Sequence, residues 1–459
     1  MPASSDPREP ASWPSDLSAA FQELPGSRRW WVALSGGCDS IFLLYCLTAL
    51  APRHNAALNA VHLHHGLNAE ADQWQKHCER VCAAIGVPLT TRELALAPGQ
   101  PDLEARARQA RYDCFEALLE PGDLLFMAHH GDDQAETVLL RLLRGSGVRG
   151  LAGMPAQREL GQGQLARPLL GLERARIEAL SREWGLAWCE DGSNRDTRFD
   201  RNYLRHEVMP VLEARWPRSG PRIARSAEHC RQAERLLGEL ADRDAREVAS
   251  GQGISVSALD DLDEARRQQL LRHLLIRQGY QPPGERRLAS GMDALLHAPD
   301  DARPELRGEG YRVCRYQDRL WLVPELPEPD VGAVAQWHPG TSLDWFGSRL
   351  SADACVGAGI AAASDDWFTL RLLARGERFR PGPNQPRRPL RQWLQEHRVP
   401  PWERTRLPLI VHGETLVAIA DLWVAPQWRA AEGEAGWQPN WHRPWRLLQA
   451  VAEGSRAPT

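Results

Sequence analysis

The sequence predicts an α/β protein: a doubly wound parallel sheet first, then a mainly helical middle domain and a small α+β C-terminal domain. Three observations carry that expectation. Residues 30–40, Trp-Trp-Val-Ala-Leu-Ser-Gly-Gly-Cys-Asp-Ser, pass from an apolar strand through a glycine turn into a helix. Apolar strands and amphipathic helices then alternate to about residue 215. Beyond residue 222 this gives way to charged helices, and later to short strands.

Residues 1–27 begin Pro/Ser-rich and are expected to form a disordered extension. In 28–217, strands are expected at 31–34, 58–64, 87–93 and 124–129, with a fifth at 187–190. One intervening helix carries Trp74, Cys78, Val81, Cys82 and Ile85 on a single face, and another carries Leu103, Ala107, Ala110, Cys114 and Leu118. Strands separated by such helices form a parallel sheet whose ligand lies at the carboxyl ends of the strands. The middle domain, 222–325, combines helices at 222–249 and 264–279 with a hairpin of 311–316 and 320–323 around Gln317-Asp318-Arg319. Residues 326–366, rich in Pro, Gly, Ala and Asp, read as a linker. The last unit, 367–450, holds a helix near 389–398 and strands 407–411 and 415–420 across His412-Gly413-Glu414.

Composition narrows the function classes. With 42% apolar and 25% charged residues in 459, the chain reads as a globular protein of two or three domains. It has no apolar run of 18 residues, and its start lacks the basic-then-apolar pattern of a leader, so a cytoplasmic location is expected. Nine cysteines form no C-x-x-C pair, which argues for reduced thiols and against a structural zinc or iron–sulfur site. Lys76 is the only lysine, so the glycine loop cannot be a lysine-bearing P-loop and Schiff-base chemistry is excluded elsewhere.

Five clusters carry chemistry. In the first, Ser35, Ser40 and the backbone amides of Gly36, Gly37 and Cys38 are placed to hold phosphate at a helix N-terminus. Asp39 would hold Mg²⁺ or orient a loop N–H; the plain alternative is a turn that only joins strand to helix. The second, His62-Leu63-His64-His65-Gly66-Leu67, lacks metal-ligand spacing, leaving histidines satisfied at a strand end or, with His64, a wall of the nucleotide pocket. In the third, Glu104 and Arg108 read as a surface i,i+4 pair, whereas Arg106 and Arg111 are candidates for RNA phosphate or for charge on the α-phosphate. The fourth, His129-His130-Gly131-Asp132-Asp133-Gln134-Ala135-Glu136-Thr137, has three carboxylates in five residues. An N-cap explains one of them. Asp133 and Glu136 share a helical face and suit a metal or the ammonium of an amine. A glycine-rich basic loop, Arg144 to Arg149, follows. The fifth, Glu190 to Asp196 continuing to Asp200-Arg201-Asn202-Tyr203-Leu204-Arg205, is a polar loop with a basic helix start.

Ser-Gly-Gly-Cys-Asp-Ser resembles the loop of ATP pyrophosphatases, which cleave ATP between the α and β phosphates. The whole ordered set, with Arg167-Pro168-Leu169-Leu170, Pro400-Pro401-Trp402 and Gly413-Glu414-Thr415-Leu416, resembles the bacterial tRNA(Ile)-lysidine synthases of the long type. That resemblance covers nearly the whole chain, and implies an adenine nucleotide α-hydrolase-like fold, ATP with Mg²⁺, free L-lysine and an isoleucine tRNA with a CAU anticodon. The wobble cytidine would be adenylated on O2, and lysine would then displace AMP at C2. Asp39, Asp133 and Arg111 would be catalytic, His64 would border the nucleotide, and Asp132, Asp133, Glu136, Arg106 and Arg205 would bind substrate. The alternatives are a tRNA thiolase, for which a catalytic cysteine is missing, and a non-catalytic nucleotide- or RNA-binding protein. Homodimerisation stays open. Between residues 371 and 406, ten arginines face three glutamates, a surplus expected to track tRNA phosphates unless it is only a solvated surface.

Overall fold

The computed structural model describes residues 9–64, 66, 71–94, 103–190, 196–250, 253–299, 302–361 and 366–449. Two units divide it, Met1–Leu236 and Leu237–Thr459.

The first unit begins with α1 (Ser15–Ala20), then β1 (Arg29–Ala33), α2 (Cys38–Leu50), β2 (Ala57–His64), α3 (Ala71–Ile85), β3 (Leu89–Glu93), α4 (Leu103–Leu118), β4 (Leu124–Phe126), α5 (Gly131–Leu143) and α6 (Val148–Leu151). A hairpin, β5 (Gln157–Leu160) and β6 (Gly163–Ala166), leads to α7 (Arg174–Glu183), α8 (Asp200–Tyr203), a π-helical turn at Leu204–Val208, α9 (Met209–Arg215) and α10 (Ser219–Glu247), within which the division at Leu236 falls. The sheet runs β3-β2-β1-β4-β6-β5, parallel except for β5. Winding proceeds outward from β1 to β3, returns through α4, and resumes at β4 on the other side of β1. The strand order therefore reverses between β1 and β4, and a crevice opens at their carboxyl ends.

The central helix α2 is apolar nearly all round because it is covered nearly all round: Ile41, Phe42, Leu43, Leu44 and Leu47 are fully buried. Among the described side chains of α4 the buried ones are Tyr112 and Phe115, joined by Leu119 just after the helix, a face displaced from the expected one. Two further expectations fail here. Residues 187–190 are not a strand; the fifth position belongs to β6, while the Cys189 N–H donates to the Gly36 carbonyl (2.9 Å). Nor are residues 10–27 wholly a disordered extension. Trp13, Leu17 and Phe21 enter the main core, where Trp13 meets Phe21 and Trp184 at ring distances of 5.7 and 6.2 Å. The Pro/Ser content hid three apolar residues at i, i+4, i+8.

The second unit adds β7 (Ala249–Ser250), β8 (Gly253–Ile254), α11 (Val256–Asp260), α12 (Glu264–Arg277) and α13 (Glu285–His297), then β9 (Glu305–Arg307), β10 (Tyr311–Tyr316) and β11 (Arg319–Pro324). The expected hairpin is present as β10 and β11, in antiparallel register with Tyr316 opposite Arg319. The expected linker is not one. It contains β12 (Val334–Trp337), β13 (Leu343–Trp345) and β14 (Ser348–Val356), with Trp337, Trp345 and Leu350 buried in the C-terminal core. Strands that alternate small and polar residues outward with single large apolar residues inward look like a linker by composition. After them come β15 (Phe368–Arg371), β16 (Arg378–Phe379), β17 (Arg388–Pro389), α14 (Leu390–Glu396), α15 (Pro401–Arg404), β18 (Leu409–His412), β19 (Thr415–Ile419), β20 (Trp423–Val424), β21 (Ala435–His442) and β22 (Arg446–Leu447). The last strand pairs with β11, and Leu448 is buried among Leu320, Leu322 and Ile254, so the chain closes on its middle domain.

Leu17 is fully buried. Leu17→Ala should lower unfolding free energy by about 2–5 kcal/mol in denaturant titration. A change below about 0.5 kcal/mol, the range of ordinary surface substitutions, would show that residues 10–21 lie outside the core.

Candidate active site

The loop after β1 is braced by its own serines. The Ser35 N–H donates to Ser40 Oγ (3.2 Å), the Gly37 N–H to Ser35 Oγ (3.3 Å), and Ser40 Oγ–H to the Gly37 carbonyl (3.0 Å). Gly36 lies at φ +89°, and a Cβ there would come within 3.2 Å of Cys78 Sγ, so both conformation and space call for glycine. Cys38 Sγ turns away into the core, 3.4 Å from Ser181 Oγ.

Across the crevice, β4 delivers His129 and His130 to the start of α5. His130 caps that helix: its Nδ1 accepts from the Asp133 N–H (3.4 Å), while Asp133 Oδ2 accepts from the His130 N–H (3.0 Å). This reciprocal bonding is a capping box in which histidine takes the place of serine. The Gly131 N–H reaches the Leu172 carbonyl (2.7 Å), and a Cβ at 131 would lie 3.0 Å from that oxygen. His130 Nε2 sits 3.7 Å from Asp39 Oδ2 and 3.4 Å from Asp133 Oδ2, and thereby links the loop to α5.

Three carboxylates of the cluster have different tasks. Asp132 Oδ2 accepts from the Arg174 N–H (2.8 Å) and caps α7. Asp133 and Glu136 face Arg201 and Arg205. Arg201 donates from Nε to Glu136 Oε2 (2.9 Å) and from Nη2 to Asp133 Oδ1 (3.0 Å). Arg205 donates from Nε to Glu136 Oε1 (2.6 Å) and from Nη2 to Asp133 Oδ1 (3.1 Å) and Glu136 Oε2 (2.9 Å). Glu136 is 1% exposed, so both of its oxygens need partners.

Electrostatics sort these groups. Burial raises the Asp39 pKa above the usual carboxylate range despite His130 and Arg174, and Asp39 Oδ1 is buried without a hydrogen-bond partner. Burial alone would depress His130, yet Asp132, Asp133 and Asp39 outweigh it and raise its pKa. Burial would also raise Asp133, but His130 and Arg201 hold it low and ionised. His129 is driven down to about 3 by burial, offset only in part by Asp133, and its neutral ring accepts from Arg167 Nε (3.1 Å).

Of the site residues expected from sequence, Ser35, Gly36, Gly37, Ser40, Asp39, Asp132, Asp133, Glu136 and Arg205 converge here. His64 does not join these bonds; its Nε2 meets Asp72 (3.0 Å) near the carboxyl end of β2. Arg106 and Arg111 are exposed on α4. His65, Leu67 and residues 191–195 lie outside the described residues, as does the side chain of Glu104. Arg201 was missed as a site residue. Its signal was the i,i+4 spacing with Arg205 opposite the i,i+3 spacing of Asp133 and Glu136.

Known families match most of the chain. A PP-loop domain profile matches residues 14–212, a TilS substrate-binding domain residues 254–321, and a TilS substrate C-terminal domain residues 368–441. A tRNA(Ile)-lysidine synthase of Alkalilimnicola ehrlichii is 41% identical over 92% of this chain and 95% of its own length. The chain belongs to the tRNA(Ile)-lysidine synthase family. Synthases of that name from Pseudomonas putida (41% identical, 89% of this chain, 95% of that protein) and Coxiella burnetii (35%, 92% and 95%) agree. The resemblance read from the motifs is thus borne out, and with it the enzyme class, an ATP-using ligase. Burial pushes Cys38 and Cys82 up to about 11 and Cys78 to about 12, so these three buried thiols do not suit the nucleophile that the thiolase alternative needs. Among the described residues no helix is long and apolar enough to cross a membrane.

Because the folded-state pKa of Asp39 is raised, its ionised form costs stability as pH rises through that pKa, whereas at acid pH the protonated form carries no such cost. Asp39→Asn should therefore melt at a higher temperature than the parent at pH 7. The gap should close as pH falls into the ordinary carboxylate range. Thermal melts across pH check this; a variant that melts lower at pH 7 would mean that Asp39 is held by bonds and not strained by burial.

Proposed function

We propose that this chain joins free L-lysine to C2 of the wobble cytidine of an isoleucine tRNA with a CAU anticodon, through a cytidine adenylated on O2. The carrying observation is the meeting, at one sheet crevice, of a lysine-free phosphate loop with the ion-paired Asp133 and Glu136.

Amides at the N-terminus of the buried helix α2 suit the pyrophosphate that leaves when cytidine O2 attacks the α-phosphate. The loop's serines brace it, so these donors are set before ATP arrives. The unpartnered Asp39 Oδ1 would serve Mg²⁺ as an oxygen ligand. When bound, that ion neutralises charge on the departing pyrophosphate. His130, held between Asp39 and Asp133, keeps loop and α5 in fixed relation. In the second step the ε-ammonium of lysine is held by Asp133 and Glu136, which accept its proton as nitrogen attacks C2 and AMP departs with O2. A lysine entering this pair displaces donors of Arg201 or Arg205. The target base must leave its stack to reach the crevice, as single-stranded RNA recognition requires.

In the arginine-rich segment, four arginines fold inward. Arg371 pairs with Glu377 (2.5 Å), Arg388 with Glu396, and Arg404 and Arg406 donate to backbone carbonyls. Arg375, Arg378, Arg380, Arg387, Arg391 and Arg398 are exposed, and we assign that set to tRNA phosphates.

The decisive assay incubates the protein with ATP, radiolabelled lysine and the CAU isoleucine transcript. Label should appear in RNA together with pyrophosphate and AMP, and label absent from RNA overturns the reading. Glu136→Gln should raise the lysine KM at least about tenfold, the worth of one charge-assisted hydrogen bond, with tRNA adenylation retained. Equal loss of both steps would instead point to a metal role. Replacing Arg375, Arg380, Arg391 and Arg398 by Gln should reduce the log–log salt slope of tRNA binding by about 3 units. An unchanged slope would make that surface merely solvated.

A further inference from the structure

The cations that bridge Asp133 and Glu136 in the amine subsite are guanidinium groups, while His130 faces Asp133 alone. Both Nε atoms, of Arg201 and of Arg205, already lie within 2.9 Å of Glu136, and both Nη2 atoms reach Asp133. The two arginines are four residues apart and run into the π-helical turn at Leu204–Val208. Lysine at either position would carry its Nζ one bond beyond the present Nε, at the place of the guanidinium carbon, against the same carboxylates. The chain's one lysine, Lys76, is exposed on α3, and its side chain takes no part in these bonds.

Arginine and lysine neutralise a carboxylate pair equally in charge but not in reactivity. Guanidinium stays protonated in proteins and offers no lone pair, whereas an ammonium beside carboxylates can lose its proton and attack. On our reading of the second step, an amine nitrogen forms a bond to C2 of the adenylated cytidine and the C2–O2 bond breaks. AMP leaves with O2, and the ammonium proton passes to the carboxylates. Nothing in that balance distinguishes a free lysine from a tethered one, and tethering favours the latter through effective concentration.

We propose that Arg201 and Arg205 are specificity-determining residues that reserve this subsite for a free amine, neutralising Asp133 and Glu136 with a cation that cannot itself capture the activated base. The inference rests on the assignment of Asp133 and Glu136 to the substrate ammonium. It gives the guanidinium groups one duty before lysine transfer, charge compensation, which an ammonium can also perform.

The test uses the full chain with ATP and 5′-labelled CAU isoleucine transcript, without free lysine, in the parent, Arg201→Lys, Arg205→Lys, and matching Arg→Gln controls. A denaturing gel reads protein-bound label, and released pyrophosphate reads adenylation. At least one lysine variant should gain a covalent protein–RNA band that maps to its new residue, with release of AMP. The parent and the Gln controls should show none. A lysine variant that adenylates tRNA yet forms no adduct at either position overturns the proposal, as does an adduct mapping elsewhere. Failure of both lysine variants to adenylate overturns it too, because ammonium would then not substitute for guanidinium. Failure of the parent to make lysidine when lysine is supplied strikes the functional reading instead.

Discussion

Asp133 and Glu136 stand on the first turns of α5, at the mouth of a parallel sheet, with almost no water to solvate them. Leaving two carboxylates unpaired there would cost several kcal/mol each. Their partners come from a segment more than 60 residues further along, where Arg201 and Arg205 leave α8 side by side. Much of the unit's outer layer serves this arrangement. Asp132 caps α7 through the Arg174 N–H, and Gly131 presses against the Leu172 carbonyl just before that helix. The ion-pair cluster is therefore the tie between the sheet and the chain that follows it.

A second tie runs the other way, from α5 back to the phosphate loop. His130 is at once helix cap and bridge: the bonds that start α5 leave its Nε2 turned toward Asp39. Asp39 gains little in return, since burial raises its pKa and one of its oxygens has no partner. Strain at a functional site of this kind persists because the surrounding structure over-determines it. The loop itself carries little strain apart from Gly36, whose positive φ glycine accepts freely.

Elements whose pattern is local were legible in the sequence. The strand, glycine turn and helix at 30–40, the face of α3, and the β10–β11 hairpin each follow from residues within a dozen positions. So did the phosphate loop and the carboxylate cluster, because strand ends in a doubly wound sheet are where ligands gather. What failed depended on distant partners. Leu17 becomes a core residue only because α2 and Trp184 are there to meet it. The strands between 334 and 356 look like a linker until β15 and β21 pair with them. Arg201 reads as a helix start until Asp133 and Glu136 face it, so its role is written in two places at once. The spacing of Arg201 and Arg205 matches that of Asp133 and Glu136, but only the fold brings the two pairs together.

The closing strand β22 places residues 446 and 447 against β11, and the Leu448 N–H and carbonyl bond to Leu320 and Ile254. The C-terminal domain is thus, in topology, an insertion within the middle one. On the ribosome the two halves of that middle sheet emerge far apart in time. At the usual rate of synthesis, about 5–20 residues per second, β11 waits roughly 6–25 s for its neighbour. During that interval the whole C-terminal domain must emerge while one edge of the middle sheet stays open. A message cut short before codon 446 would therefore yield a chain with its parallel-sheet crevice encoded intact but its middle sheet unsealed. Such an open edge is a ready template for pairing with another nascent chain, and a surveillance protease could tell it from the finished enzyme.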